Sequence, residues 1–257
     1  MRTWTPALLG LSVVVLCVVA CARRVQAAEV QVAVAANFAG PMQQIAVRFA
    51  SDTGHKAVVA SGSTGRLLAQ IENGAPFDVL LAADETAPTK LERDGFAVPG
   101  SRFTYATGRL VLWSAKPGYV DPAGAVLARG DFRHVALADP RLAPYGAAAV
   151  EVLRALGLLE ALRPRFVLGE SVAQAHQFVA TGNAELGFVA LSQLDFPGAA
   201  PVGSRWLVPA SLHPPILQDA VLLRRGEANP AARALCEYLR SPRTKELIRA
   251  WGYGLAP

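Results

Sequence analysis

The chain has 257 residues, 52% of them apolar, and a formal charge of +5, enough to bury a sizeable core in one large domain or two small ones. Arg2, Arg23 and Arg24, and no acids, fall in the first 27 residues, so the +5 drops by three to +2 for the remainder. No basic stripe is left for a nucleic acid, and the three cysteines (Cys17, Cys21, Cys236) have no spacing that suits an internal disulfide or a metal site.

Residues 1–27 have the form of a cleaved secretory leader. Arg2 supplies the positive start, Pro6 to Ala22 is a nearly unbroken apolar run, and Val25-Gln26-Ala27 precedes a cut before Ala28. The run reaches the lower limit for a membrane span, so an uncleaved anchor is the competing reading. Val18-Val19-Ala20-Cys21 is also a loose match to a lipoprotein acylation site. The expected product is an exported, monomeric protein with Cys236 as its one cysteine.

Val30–Ala36 (VQVAVAA) is apolar almost throughout, which predicts a buried strand of a parallel sheet. Pro41 then opens a helix with Met42, Ile45, Ala46 and Phe49 on one face, ended by Gly54. Ala57–Ala60 is the next strand, a helix runs from Thr64 to Asn73-Gly74, Phe77–Ala83 is a third strand, and Glu85–Asp94 another helix. This β-α-β-α-β run predicts a doubly wound α/β start. Gly108–Ser114 is a strand leading into a second unit. There Val120–Asp131 holds a short helix and turn, His134–Ala138 a strand, and Gly146–Leu156 a helix. Phe166–Leu168 (strand), Ala173–Ala180 (helix) and Leu186–Leu191 (strand) follow. After Pro209–Pro215 come a strand at Ala220–Leu223 and helices over Pro230–Leu239 and Pro242–Trp251. Crossings near 108–112 and 205–215 predict two α/β lobes: residues 28–109 with 210–257, and residues 110–209.

Four stretches join the end of a strand to the start of a helix: Ala35-Ala36-Asn37-Phe38, Ser61-Gly62-Ser63-Thr64-Gly65, Pro144-Tyr145-Gly146 and Glu170-Ser171-Val172. Such positions present free backbone N–H groups and the positive end of a helix dipole. Hydroxyls at Ser63, Thr64 and Tyr145 and the Asn37 amide add donors, Val172 adds only its N–H, and no Lys or Arg lies within the stretches. That inventory suits reversible capture of an anion. Each residue also has a plainer role: Asn37 and Ser63 or Thr64 as helix N-caps, Tyr145 as packing. Glu170 is the one carboxylate in the set.

Other chemistries find less support. Ser63 is not in a P-loop, since no Gly-Lys-Ser/Thr follows, nor in a nucleophile elbow, since Ser61 stands where that turn requires Gly. A secreted hydrolase using Ser63 with His176 as base is the rival from another class. His55, His134, His176 and His213 have no ligand spacing, and Asp78, Asp84 and Asp139 form no acid/base pair, so neither a metal nor a cofactor is expected.

The segments VAVAANF (32–38), SGSTGRLLAQIENGAPFDVLLAADE (61–85), ALADPRLAPYG (136–146) and ESVAQAHQFVATGNAELGFVA (170–190) resemble the periplasmic molybdate-binding proteins of ABC transporters. The resemblance runs in order over essentially all of 29–257. It implies the two-lobed type II periplasmic binding fold, a molybdate or tungstate ligand, and an inner-membrane ABC permease as partner. It also implies a ligand set of Asn37 with the backbone of Ala36, Ser63 or Thr64, Tyr145, and the backbone of Val172. Where some members of the family place a tyrosine hydroxyl on the ligand, this chain has Ala190, which cannot donate. The pairing of Asn37 with Tyr145 matches a second subtype. A receptor for sulfate or another tetrahedral oxyanion is the alternative within the binding class.

Overall fold

The computed structural model describes residues 27–255; the apolar run, arginines and two cysteines of the expected leader lie outside them. In chain order the first elements are β1 (Glu29–Ala35), α1 (Ala39–Thr53), β2 (Lys56–Gly62), α2 (Thr64–Glu72), β3 (Val79–Leu81), α3 (Thr86–Arg93) and β4 (Phe103–Gly108). There follow β5 (Leu110–Ser114), α4 (Val126–Arg129), β6 (Val135–Ala138), α5 (Pro144–Ala155), α6 (Leu159–Leu162), β7 (Phe166–Gly169), α7 (Val172–Ala180), β8 (Leu186–Ala190) and β9 (Ser204–Leu207). The chain ends on β10 (Ile216–Leu222), α8 (Pro230–Arg240) and α9 (Pro242–Ala250).

The strands form two five-stranded sheets, ordered β2-β1-β3-β10-β4 and β7-β6-β8-β5-β9. Within the first, β1 runs parallel to both β2 and β3, while β10 is antiparallel to β3 and β4. In the second, β6 is parallel to β7 and β8, while β5 is antiparallel to β8 and β9. The result is a two-lobed α/β architecture in which the chain passes between sheets at Arg109 and again between β9 and β10. Burial explains the apolar reading of β1: Val30, Val32, Ala33 and Val34 are all at 0% exposure between helices on both faces. One core gathers β1, α1, α8 and α9 around Phe38, Phe49 and Leu235; the other gathers β5, β6 and α5 around Leu112, Leu137 and Phe188.

Three strands are among the differences from the sequence reading. Phe103–Gly108 (FTYATG), of which the sequence reading assigned only Gly108, is β4 and lies at the edge of the first sheet, and Ser204–Leu207, to which it assigned no element, is β9 at the edge of the second. Both are short and polar on one side, so neither carries an apolar run, and each is held by a partner far away in sequence. β10 begins at Ile216, four residues before the expected Ala220, because Gln218 and Asp219 interrupt its apolar pattern although both are fully buried.

Candidate functional site

The parallel strands β1, β2, β6 and β7 end at Ala35, Gly62, Ala138 and Gly169, and each is followed closely by a helix start. Ligands of open α/β sheets sit beyond such carboxyl ends. Here the four helix starts meet around one small cavity between the lobes, lined by Ala36, Asn37, Ser63, Thr64, Tyr145 and Val172 among others. No charged side chain lines it. The first-turn amides of these helices have no intrahelical acceptor, so the cavity is surrounded by donors and by the positive ends of helix dipoles.

The side chains play unequal parts. Ser63, just ahead of α2, is 3% exposed, and its hydroxyl makes no capping bond. It is the one buried side-chain polar atom among the described residues with no hydrogen-bond partner. Native structures leave few such atoms unpaired. Thr64, by contrast, is engaged: its Oγ1 accepts from the Ala83 amide at 3.0 Å, tying α2 to the end of β3.

Asn37 sits in a 3₁₀ turn, Ala36–Phe38, directly after β1. Its Nδ2 donates to Gln218 Oε1 at 2.9 Å and to the Tyr253 hydroxyl at 3.0 Å, which occupies both amide hydrogens. Asn37 therefore has no side-chain hydrogen left to give a ligand. Tyr145 is 2% exposed, and its hydroxyl accepts from Gln218 Nε2 at 3.1 Å. Burial drives its pKa well above the ordinary tyrosine value, against the opposing effect of Gln218, the Arg109 backbone and Asn37, so it stays neutral. Val172 is the first residue of α7, whose start is capped by the Ser171 hydroxyl accepting from the Gln174 amide at 3.4 Å.

The lobes are held closed around this cavity. The Gly65 amide donates to the Leu142 carbonyl at 2.9 Å. Arg66 pairs with Glu170 at 3.0 Å across the lip, which turns the only carboxylate of the four stretches outward. Ser192 Oγ, after β8, donates to the Asn37 carbonyl at 3.0 Å, and the Tyr253 hydroxyl donates to the same carbonyl at 2.7 Å. A wider, largely apolar groove of about 670 Å³ lies alongside, between α2, α3, α5 and the segment Pro214–Leu217. It shares Thr64, Ala83, Ala143 and Pro144 with the cavity, but the unpaired hydroxyl and the converging helix starts belong to the smaller space.

The hydrolase geometry does not form. His176 stacks on Trp113 with ring centroids 4.8 Å apart, burial lowering its pKa, and no base reaches Ser63. His55 Nδ1 accepts from the Ala28 amide at 3.2 Å. Asp84 accepts from the Ala87 amide at the start of α3, Asp139 pairs with Arg141, and Asp78 accepts from the Gln31 amide. Among the described residues no three His, Cys, Asp or Glu side chains gather as a metal site. Ala190 is fully buried at the end of β8. The sequence reading overlooked Gln218, Tyr105, Tyr253 and Ser192, which lie directly beneath the cavity; the single usable signal was a polar pair, Gln218-Asp219, inside an apolar strand.

Residues 30–254 match the family described as bacterial extracellular solute-binding protein. Over 230 residues the chain is 62% identical to the molybdate-binding protein ModA of Azotobacter vinelandii, covering 90% of this chain and 91% of that one. It is 52% identical over 227 residues to the protein of the same name from Rhodobacter capsulatus, covering 88% of each. The solved structure of the periplasmic molybdate-binding protein of Azotobacter vinelandii superposes with a TM-score of 0.86 at 47% identity, covering 89% of this chain and 100% of that one.

Proposed function

The chain belongs to the bacterial extracellular solute-binding protein family, among its molybdate-binding members, and from that premise we infer that it is the periplasmic molybdate receptor of an ABC transporter. It performs no chemical step. Its work is the difference in affinity between open and closed lobes, which loads the anion and hands it to a permease in the inner membrane. Tungstate, of the same shape and charge, is a second ligand, and the receptor acts as a monomer without a cofactor.

The observation that carries the assignment of the site is the Ser63 hydroxyl, buried and unpartnered in a cavity that holds no charge. A dehydrated dianion would supply the missing acceptor. Charge-assisted bonds of this kind are shorter and stronger than neutral ones. In our reading Ser63 gives its hydroxyl, Ala36, Asn37, Thr64 and Val172 contribute through helix-start amides, and Tyr145 lines the same cavity. Thr64 Oγ1 serves the protein instead. Selection against phosphate follows from the donor set: at neutral pH phosphate carries a proton that needs an acceptor, and Glu170 is occupied by Arg66 at the lip. Sulfate has no such proton and is refused by size.

Calorimetric titration of the mature protein with molybdate, tungstate, sulfate and phosphate tests the reading. Molybdate and tungstate are expected to bind stoichiometrically and far more tightly than the other two; equal affinity for sulfate and molybdate would overturn it in favour of a general oxyanion receptor. Export is tested by mass spectrometry of the mature N-terminus. A cut near Ala27–Ala28 is expected, and an acylated Cys21 or an intact leader in the membrane fraction would contradict it.

A further inference from the structure

One side-chain amide joins the two lobes beneath the cavity. Gln218 on β10 is 0% exposed. Its Oε1 accepts from Asn37 Nδ2 at 2.9 Å and its Nε2 donates to the Tyr145 hydroxyl at 3.1 Å, while the Tyr105 hydroxyl shares its one proton between Oε1 at 3.0 Å and the Ala82 carbonyl at 2.9 Å. Asn37 and Tyr105 belong to the first lobe, Tyr145 to the second. Two backbone features make room for this arrangement. The register between β10 and β4 shifts at Gln218/Asp219, where the pairing on β4 jumps from Ala106 to Thr104; such bulges re-aim side chains near functional sites. At Gly108, next to the crossing between sheets, a Cβ would stand 2.3 Å from the Tyr145 hydroxyl and 2.6 Å from Gln218 Nε2. Only glycine leaves the contact open.

The direction of these bonds matters. With the Asn37 amide donating to Oε1, Gln218 turns its Nε2 toward Tyr145, and the phenol oxygen is then an acceptor. A hydroxyl has one proton, and among the described residues that of Tyr145 is given to no acceptor. Tyr145 lines the cavity. We propose that Gln218 is a positioning residue for anion capture: by filling the acceptor side of the Tyr145 hydroxyl, it turns the phenol proton toward the bound oxyanion. The inference rests on the reading that this cavity holds a fully deprotonated oxyanion, and it deepens that reading. A phenol locked as donor strengthens binding of molybdate and offers nothing to the proton of hydrogen phosphate.

Gln218→Glu is the informative change. It keeps the oxygen that receives Asn37 but replaces the Nε2 donor with an acceptor whenever the carboxyl is ionised, so the Tyr145 proton swings toward position 218. Protonated, the same carboxyl donates to Tyr145 as the amide does. The other titratable groups facing this position are the phenols of Tyr105 and Tyr145, with Tyr253 beyond Asn37, all pushed upward by burial; Asp219 faces Arg102 instead, and Asp84 caps α3. Molybdate titrations on the Gln218→Glu protein should show affinity at least tenfold below wild type at pH 8, a loss of the size expected for one bond to a charged group. Affinity should recover toward wild type at pH 5.5, while wild type changes less than about twofold. In a Tyr145→Phe background the pH 8 penalty of Gln218→Glu should shrink at least threefold, because residues that act through one another are not additive. An equal penalty with and without the Tyr145 hydroxyl, or none at all in Gln218→Glu, would overturn the proposal. If Gln218→Glu does not fold, the cycle with Tyr145→Phe is run at pH 8 on Gln218→Met, whose penalty should shrink in the same way without the Tyr145 hydroxyl. A wild-type protein that binds no molybdate would instead refute the site's assignment, so the two failures are distinguishable.

Discussion

Ser63→Ala separates a ligand hydroxyl from a structural one. In the structure Ser63 Oγ touches no donor or acceptor, whereas its neighbour Thr64 Oγ1 accepts from the Ala83 amide. Removing the Ser63 hydroxyl therefore costs the unliganded protein no bond, and its melting temperature should stay at the wild-type value or rise slightly. Removing the Thr64 hydroxyl strands a buried N–H, a cost of about 1–3 kcal/mol, which in a chain of this length lowers the melting temperature by about 2–4 °C per kcal/mol. Binding should respond in the opposite order. A hydrogen bond to a charged group contributes roughly 1.5–3 kcal/mol, so Ser63→Ala should weaken molybdate about tenfold to a hundredfold. At a ligand concentration about 1,000 times the wild-type Kd, bound molybdate stabilises wild type by about 4.1 kcal/mol; a hundredfold weaker mutant would keep about 1.4 kcal/mol. Melting curves with and without molybdate, together with calorimetry, measure both quantities. Ser63→Ala with wild-type affinity, or with a stability loss as large as that of Thr64→Ala, would refute the reasoning.

Closure offers two further tests. At Gly65 a Cβ would stand 3.1 Å from the Leu142 carbonyl oxygen and 3.2 Å from its Cα, so Gly65→Ala should weaken molybdate by roughly fivefold, about 1 kcal/mol of overpacking, without lowering the melting temperature of the unliganded protein. Unchanged affinity would mean that the lobes bind without this approach. The Arg66–Glu170 pair is half-exposed (57% and 45%), and pairs of that kind contribute about 0–1 kcal/mol; Arg66→Ala should reduce affinity less than about fivefold, with the difference fading as salt is raised. A larger loss would assign Arg66 a direct part in holding the anion. Burial pushes the Cys236 thiol up to about 11, so at pH 8 its thiolate is on the order of one part in a thousand. Iodoacetamide should leave the native mature protein unlabelled and modify it once in guanidinium; rapid native labelling would contradict the buried position of Cys236 in α8.

The sequence alone determined the elements whose signals are local. Nearly unbroken apolar runs at β1 and β8 mark strands covered on both faces, and helical spacing after Asn37, Ser63, Pro144 and Ser171 marks the four helix starts. Because parallel strands end on the same side of a sheet, those starts could be expected to converge, and they do. What the sequence could not decide was which donors are free. Asn37 reads as an amide ligand until Gln218 and Tyr253, 181 and 216 residues away, take both of its hydrogens. Ser63 and Thr64 read alike until the Ala83 amide claims one of them. The edge strands β4 and β9 escape detection for the same reason: their stability comes from partners far along the chain, β10 for one and β5 for the other. Secondary structure follows largely from short-range periodicity, but hydrogen-bond satisfaction is an account kept over the whole folded molecule. The identity of the unpaired hydroxyl, on which the proposed binding chemistry turns, therefore exists only once the tertiary structure has paired everything else.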